Sequence, residues 1–197
     1  MQLGLMKTAT AMAFVAIAAF FTAPVASADD HKHDKKHDHA HGELPTLGIC
    51  VLMPTKGNKT RGTLRLVQKG DALTITGQVR NLTPGEHGFH IHEFGDRRAA
   101  DGTSAGGHYN PDGHEHGGPG AHSHAGDLGN ILANADGVAN VNITTKDTAL
   151  HFILGRSFVV HAGADDLKSQ PSGDAGPRVA VGIVGIGNQG FKPNAKK

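Results

Sequence analysis

The residues best able to do chemistry in this chain are its histidines, of which there are 15 in 197 residues. The run GFHIHEFGD places His90 and His92 two positions apart, and alternate side chains of a β-strand point to the same face. Both rings would then face one ion. Because two histidines on a strand are common, the pair alone is weak evidence, but it indicates half of a four-imidazole metal site.

A second group of histidines follows in the glycine- and proline-rich stretch HYNPDGHEHGGPGAHSHAGD. The tight turns that glycine permits would fold several side chains back onto one ion. Three imidazoles and one carboxylate make a tetrahedral zinc set, whereas four imidazoles suit copper. Spacing alone does not choose between His114 and His116, or between His122 and His124. The candidate ligands are His108, His114, His116, His122, His124 and Asp127.

The single cysteine, Cys50, limits this chemistry further. It excludes an intrachain disulfide and every zinc site that needs two thiolates, so imidazole and carboxylate must hold any metal. Cys50 lies in GICVLM on a predicted strand, where a small buried thiol packs well; an intermolecular disulfide is the alternative. The formal net charge of +1 provides no basic field, so we expect no nucleic-acid partner.

Residues 1–28 have the pattern of a secretory signal peptide. Lys7 precedes the apolar run Ala11–Phe21, Pro24 ends that run, and Ala26-Ser27-Ala28 is a small-residue cleavage site. The run is shorter than the ~20 apolar residues that a membrane anchor needs. We therefore expect a periplasmic or secreted protein with no membrane span in its mature form.

Residues 29–43 are rich in histidine and aspartate and cannot bury enough apolar surface to fold. We expect a disordered tail that captures divalent metal loosely, with a solvated tail that binds nothing as the alternative. The tail histidines are His31, His33, His37, His39 and His41. Residues 191–197 have the composition of a short polar C-terminal tail.

The body of the chain, residues 44–190, shows short alternating or β-branched runs and no persistent helical period. Turn signals such as Pro84-Gly85 and Asp136-Gly137 separate these runs. Eight short strands predict an all-β antiparallel sandwich or barrel, and the long connections 95–127 and 162–178 are typical of functional loops. The predicted strands are Leu47–Leu52, Thr63–Gln68, Ala72–Arg80, Gly88–Phe94, Leu128–Asn134, Ala139–Thr145, Ser157–His161 and Val179–Gly187.

Six runs of the body resemble the Cu,Zn superoxide dismutase family, in its secreted or periplasmic bacterial type. They are GFHIHEFGD, SAGGHYNP, HGGP, HAGDLGN, GRSFVVHAGADDL and GDAGPRVAVGIVGIG, in the family's order from about Leu47 to Gly187. The resemblance implies an eight-stranded antiparallel Greek-key β-barrel or sandwich with two long functional loops. It implies copper and zinc as cofactors and superoxide as substrate, converted to dioxygen and hydrogen peroxide as copper is alternately reduced and oxidised. Homodimer and monomer both stay open.

By the same resemblance, His108 bridges the two metals. Copper would be held by His90, His92, His108 and His161, and zinc by His108, His116, His124 and Asp127. Asp165 matches a carboxylate that accepts hydrogen bonds from two of these rings and fixes them. Arg178 matches the arginine that attracts and orients superoxide, so Arg178 and His108 are the expected catalytic residues.

Four histidines have no ligand role in this assignment. His114 and His122 become spare loop residues, and His87 matches a family position with a structural role near the copper site. His151 has no matching role, and we expect it on a strand.

The chain departs from the family at one disulfide, which joins the long metal loop to the last strand. The matching positions hold Gly102 and Val181, and closing a loop of 181 minus 102, or 79 residues, would stabilise the fold by about 4–5 kcal/mol. We expect metal binding and Pro111, Pro119 and Pro177 to replace that support.

An active dismutase is the main functional hypothesis. The alternative is a non-catalytic copper- and zinc-binding or metal-delivery module on the same fold, which the presence of Arg178 disfavours. A copper-only variant is disfavoured because His116, His124 and Asp127 are all present.

Overall fold

The computed structural model of this chain describes residues 43–120 and 122–191. The fold described below belongs to the unit that spans residues 41–197. The predicted signal peptide, all five tail histidines and the C-terminal tail beyond residue 191 lie outside the described residues, so these assignments stay predictions. Within the described ranges, no helix has the length and apolar character needed to cross a membrane.

Eight antiparallel strands close into a barrel in the order β1-β2-β3-β6-β5-β4-β7-β8. The chain leaves β3 and re-enters at β4 with two strands between them, which is a Greek-key connection. The predicted eight-stranded all-β barrel is therefore confirmed. The strands are β1 (Leu47–Pro54), β2 (Arg61–Lys69), β3 (Ala72–Arg80), β4 (Gly85–His92), β5 (Asp127–Ala133), β6 (Val138–Thr145), β7 (Ser157–His161) and β8 (Arg178–Ile186).

The largest difference from the predicted strands is at β4, which begins and ends earlier than expected. Gly85 pairs with Ala133, so the strand already starts within the expected turn. It ends at His92 because the backbone N–H groups of Glu93 and Phe94 donate to carbonyls of the long metal loop instead of a strand.

The expectation that His151 lies on a strand was wrong. It is an exposed residue of α1 (Leu150–Ile153), whose first and last residues are buried against the barrel. A helix of four residues is too short to show a helical period in sequence.

Alternation along the strands fills the barrel with aliphatic side chains. In β1, β2 and β3, the residues that face the core lie at alternate positions and are fully buried. The rings of Phe89 and Phe158 stack 5.2 Å apart on the opposite side of the core. This packing makes the barrel wall a rigid platform. The alternating residues are Cys50, Leu52, Leu64, Leu66, Leu73 and Ile75.

Strand β4 is buried on both faces over residues 87–92. Phe89 and Ile91 point into the barrel core, so the alternate residues His90 and His92 point outward. That outer face is buried because the two long connections, residues 93–126 and 162–177, fold over it. The barrel thus places a pair of imidazoles between its own wall and two loops.

The thiol of Cys50 gives a direct test of this packing. The side chain is fully buried, and desolvation raises the pKa of the thiol to about 12. Because the thiolate is the reacting form, iodoacetamide should alkylate the native chain at least ~100-fold more slowly than the unfolded chain at pH 8. Mass spectrometry over a time course measures both rates. Equal rates, or a disulfide-linked dimer on a non-reducing gel, would contradict the buried position.

Candidate metal centre

The first donor cluster gathers four imidazoles on the outer face of β4 and β7. His90 and His92 come from β4, and His161 ends β7. His108 is brought in because it forms an isolated bridge with His92 and because the next residue, Tyr109, donates its N–H to the Ile91 carbonyl over 2.8 Å. One nitrogen from each of these four rings lies within 4.8 Å of the others, and all four side chains are buried.

Three rings of this cluster are each oriented by a hydrogen bond from the ring nitrogen that faces away from the cluster. When one ring nitrogen donates its N–H in a hydrogen bond, the other ring nitrogen carries the free lone pair and is the metal-binding atom. The bonds run from His90 Nε2 to Asp165 Oδ2 (2.8 Å), from His92 Nδ1 to the Gly106 carbonyl (3.0 Å) and from His161 Nδ1 to the Gly176 carbonyl (2.9 Å).

The second cluster is three imidazoles around one carboxylate. The Nδ1 atoms of His108, His116 and His124 lie 2.7, 3.1 and 3.2 Å from oxygens of Asp127. Asp127 starts β5, and its Oδ2 also accepts backbone N–H groups of Gly117 and His124, each over 3.1 Å. These bonds hold the loop in the turn that aims its rings at one point.

His108 belongs to both clusters. Its Nδ1 lies beside Asp127, and its Nε2 has no hydrogen-bond partner. Asp165 joins the clusters a second time, because Oδ2 accepts from His90 and Oδ1 accepts from His116 Nε2 over 2.9 Å. The two donor sets therefore share the ring of His108, and the Asp165 carboxylate links them again by bonding to one ring of each set.

Burial keeps three rings of the first cluster neutral. Desolvation lowers the pKa of His90 to about 4 and that of His161 to about 3, and it lowers the pKa of His92 well below the ordinary value. Neutral imidazole is the form that coordinates metal. At neutral pH these three rings are therefore ready to bind a cation without first losing protons.

The two carboxylates stay ionised despite their surroundings. Burial works to raise the pKa of Asp127, but hydrogen bonds with His108 and the Gly117 N–H outweigh it, and the net change is downward. Burial likewise opposes ionisation of Asp165, and its bonds, beginning with that from His90, lower its pKa overall. Two fixed negative charges thus lie against the donor sets and favour bound cations.

The chemistry of the donors fits copper and zinc. Five buried ring nitrogens in the two clusters have no hydrogen-bond partner, an arrangement that costs free energy unless a cation accepts their lone pairs. Four imidazoles are a copper-type set, and three imidazoles with one carboxylate are a zinc-type set. The five atoms are His90 Nδ1, His92 Nε2, His108 Nε2, His116 Nδ1 and His161 Nε2.

An open cleft of about 670 Å³ leads to the first cluster. His92, His108 and His161 lie at its floor, and Arg178 is the one Lys or Arg side chain on its described wall. The guanidinium donates to the carbonyls of Gly102 and Gly106 over 2.5 and 2.6 Å. Burial lowers the pKa of the Arg178 guanidinium. Because the ordinary value of that pKa is very basic, the group nevertheless stays a cation.

The remaining histidines lie outside the donor sets. His114 and His122 are exposed in the metal loop, with ring centroids 6.1 Å apart. His87 is buried and bonds through Nδ1 to the His161 carbonyl and through Nε2 to the Thr83 carbonyl, each over 2.8 Å. It supports the backbone of a donor residue, in keeping with the structural role expected for it.

Three residues that matter for the site were missed by sequence reasoning. The Asn130 amide exchanges two bonds with the backbone of Asp165, over 2.7 and 2.8 Å. The Gln170 amide does the same for the backbone of His116, over 2.8 and 2.9 Å. Gly173 packs against Asp165. Asn130 stands in the run HAGDLGN and could have been noticed there; the other two give no signal in spacing or composition.

The barrel and its adjoining donor sets define a class of protein, a metalloprotein with a dinuclear centre on the outer face of an antiparallel β-barrel. The sequence profile of the family described as copper/zinc superoxide dismutase (SODC) matches residues 60–184, more than half of the chain. The chain belongs to the copper/zinc superoxide dismutase family, and copper and zinc are its cofactors.

Individual relatives agree with the family match. The chain is 45% identical over 151 residues to "Extracellular superoxide dismutase [Cu-Zn]" of Brugia pahangi, covering 70% of this chain and 75% of that protein. It is 48% identical over 159 residues to the protein of the same description from Onchocerca volvulus, covering 74% and 79%. Among solved structures, the clock protein EA4 is similar with a TM-score of 0.66 and 35% identity, over 72% of this chain and 95% of that one. The bacterial type expected from the signal and tail stays a prediction.

A substitution at Gly173 tests the shared carboxylate. A Cβ atom there would overlap Asp165 Oδ1 and lie 2.6 Å from His116 Nε2, on a backbone with φ +67°. Gly173→Ala should therefore break the hydrogen bond between His116 Nε2 and Asp165 Oδ1. Zinc affinity should fall about 10- to 100-fold, because this is the typical effect of losing a hydrogen-bond partner behind a metal ligand. Zinc competition with a chelator, at fixed copper loading, measures the change.

The matched control is Gly70→Ala in the β2–β3 turn. Its backbone has a similar φ of +59°, but no atom lies within 4 Å of the added Cβ. It should keep the zinc affinity of the parent chain. If both variants bind zinc equally well, contact with Asp165 and His116 is not what Gly173 protects.

Proposed function

We propose that this secreted superoxide dismutase works through the centre bridged by His108, with Arg178 as the group that receives the substrate. The observation that carries the proposal is the position of one imidazole in both donor sets, at the floor of a cleft whose wall carries one cation. The secreted location agrees with the extracellular relatives and with the signal peptide predicted at residues 1–28.

The ligand assignment follows the two donor sets. Copper is held by His90, His92, His108 and His161, and zinc by His108, His116, His124 and Asp127. Bound copper supplies a one-electron couple and bound zinc a fixed positive charge without redox chemistry. This assignment is supported by the unpartnered ring nitrogens and by the far-side bonds that aim them.

The overall reaction takes two superoxide anions and two protons to one dioxygen and one hydrogen peroxide, one anion losing the electron that the other gains. Arg178 attracts the anion into the cleft and orients it beside the first cluster, which contains His90 and His161. His108 Nε2, on the side of that cluster, is the ring atom at which a proton can be held and passed to the product. Asp127, at Nδ1, keeps the ring in place meanwhile.

The alternative is a metal-binding or delivery module without turnover. Such a module needs the donor sets but has no use for a cation fixed at the mouth of the cleft. Arg178 is held there by two carbonyl acceptors, which favours the enzyme.

The decisive experiment measures superoxide dismutation together with copper and zinc per chain. Arg178→Gln should retain both metals and lose about 10-fold or more in rate, because attraction of the anion is lost. Arg80→Gln, at an exposed strand position on β3, is the control and should behave like the parent. Full metal loading of the parent without dismutation would overturn the enzymatic function in favour of the module.

The N-terminal tail adds a second role, the capture of metal. The tail at residues 29–43, with His31, His33, His37, His39 and His41, follows the predicted cleavage site and precedes the catalytic domain at 44–190. Its alternation of imidazole and carboxylate suits loose capture of divalent metal, which raises the metal concentration near the domain when supply is scarce.

An exposed apolar patch on the barrel favours a homodimer over a monomer. Its apolar residues are Phe94, Phe152, Leu154 and Ile183, which lie around Gly95 and Gly155. The charged residues Glu93, Asp96, Arg98 and Arg156 line the same pocket. Phe94 and Phe152 are 55% and 57% exposed, and Ile183 is 43% exposed. Contiguous exposed apolar surface of this kind marks association, and a second copy of the chain covers it by two-fold pairing.

Light scattering tests this assembly. The parent should have the mass of two chains, and Ile183→Lys should have the mass of one, because a charge buried without a partner is costly. Leu132→Lys is the control, since Leu132 is 68% exposed on β5 outside the patch. A parent of single-chain mass would leave the monomer as the assembly state.

A further inference from the structure

The turn that follows β1 contacts two segments that are far apart in sequence. The Thr55 N–H donates to the Val179 carbonyl over 3.2 Å, at the start of β8. One residue on, the Lys56 N–H donates to the Ala100 carbonyl over 2.7 Å, in the long metal loop. The turn at 55–58 therefore ties the metal loop to the strand that begins with Arg178.

Thr55 contributes its side chain to the same junction. Its hydroxyl donates to the Arg178 carbonyl over 2.7 Å and accepts from the Asn58 amide over 2.8 Å. The side chain is buried, with only 8% of the residue exposed. A buried hydroxyl with both functions satisfied has a defined orientation, so this contact restrains the Arg178 backbone.

The methyl group of Thr55 faces the point where the metal loop meets β8. A Cβ atom built on Gly102 would lie 3.3 Å from Thr55 Cγ2 and 2.8 Å from Val181 Cγ2. Val181 is packed with Ala105 and Val159 in a small apolar cluster of its own outside the main core. The loop at Gly102 and the strand at Val181 are thus close-packed against each other and against Thr55.

Arg178 is consequently held at both ends. Its guanidinium donates to the carbonyls of Gly102 and Gly106 in the loop, and its own carbonyl accepts from Thr55. A shift of the turn moves the backbone of Arg178 relative to the loop carbonyls that hold its head. The position of the cation at the cleft therefore depends on Thr55.

We propose that Thr55 is a positioning residue for Arg178, and that the turn at 55–58 does by hydrogen bonding what a covalent link between positions 102 and 181 would do. The inference rests on the proposed role of Arg178 in receiving the anion. It assigns to Thr55 no contact with the substrate. Its effect must therefore appear as a change in anion affinity at the cleft that the conservative replacement by serine does not produce.

The test uses the full chain loaded with copper and zinc and titrates azide, an anion whose binding changes the visible absorption of copper. Thr55→Val keeps the shape and removes the hydroxyl, and it should weaken azide binding roughly 3- to 10-fold at unchanged metal content, the range expected for loss of one hydrogen bond. Thr55→Ser keeps the hydroxyl and should bind azide as the parent does.

Thr60→Val is the matched control. Thr60 is also buried, with 3% exposed, and its hydroxyl donates to a backbone carbonyl, that of Asn81, over 3.1 Å. It should lose the same kind of bond without a change in azide affinity. If Thr55→Val does not fold, Asn58→Ala removes the donor to the Thr55 hydroxyl from an exposed position and should weaken azide binding about 2-fold.

Three results would overturn the positioning role: parent-like azide affinity in Thr55→Val (or in Asn58→Ala where Thr55→Val does not fold), equal weakening in Thr60→Val, or weakened affinity in Thr55→Ser. A parent chain that loads copper but binds no azide would instead contradict the proposed function of Arg178, and the role of Thr55 with it.

Discussion

The lone pairs of five buried imidazole nitrogens are the constraint on which the rest of this structure depends. Each of these nitrogens is buried away from water and makes no hydrogen bond with the protein, which costs free energy. The cost is tolerable only if a cation takes the place of water. The loops over β4 are therefore stabilised by the same ions that perform the chemistry, and the folding of residues 93–126 and metal loading are one equilibrium.

The barrel and the loops divide this task. The barrel wall is packed with aliphatic side chains and sets the positions of His90 and His92 by alternation alone. The long metal loop supplies His108, His116 and His124, and polar contacts hold these donors in place alongside the apolar packing of Ala105 and Tyr109. Asp165 is the main contact of this kind, because one carboxylate orients a ring from each donor set. A chain with a sound barrel and a disordered centre is thus the expected form when metal is absent.

Much of this was predictable from sequence, for reasons that differ between elements. Short alternating or β-branched runs located all eight strands, because several strands bury one face, others such as β7 are buried throughout, and the turn residues between them are strong signals. The family motifs named the donors, but from the residues alone His116 could not be told from His114. What separates them in space is a loop conformation held by the Gln170 amide and the Asp127 carboxylate, contacts that neither spacing nor composition encodes. The junction at Thr55 was invisible for the same reason, since its partners lie 123 residues away.

The complete burial of Cys50 has a consequence for an enzyme that makes hydrogen peroxide. Peroxide attacks thiolates, and this chain has one thiol, which is buried in the barrel and kept protonated. The enzyme therefore exposes no thiolate to its own product. With one cysteine, the chain also needs no thiol oxidant to form an intrachain disulfide, and binding of the two metals completes the centre.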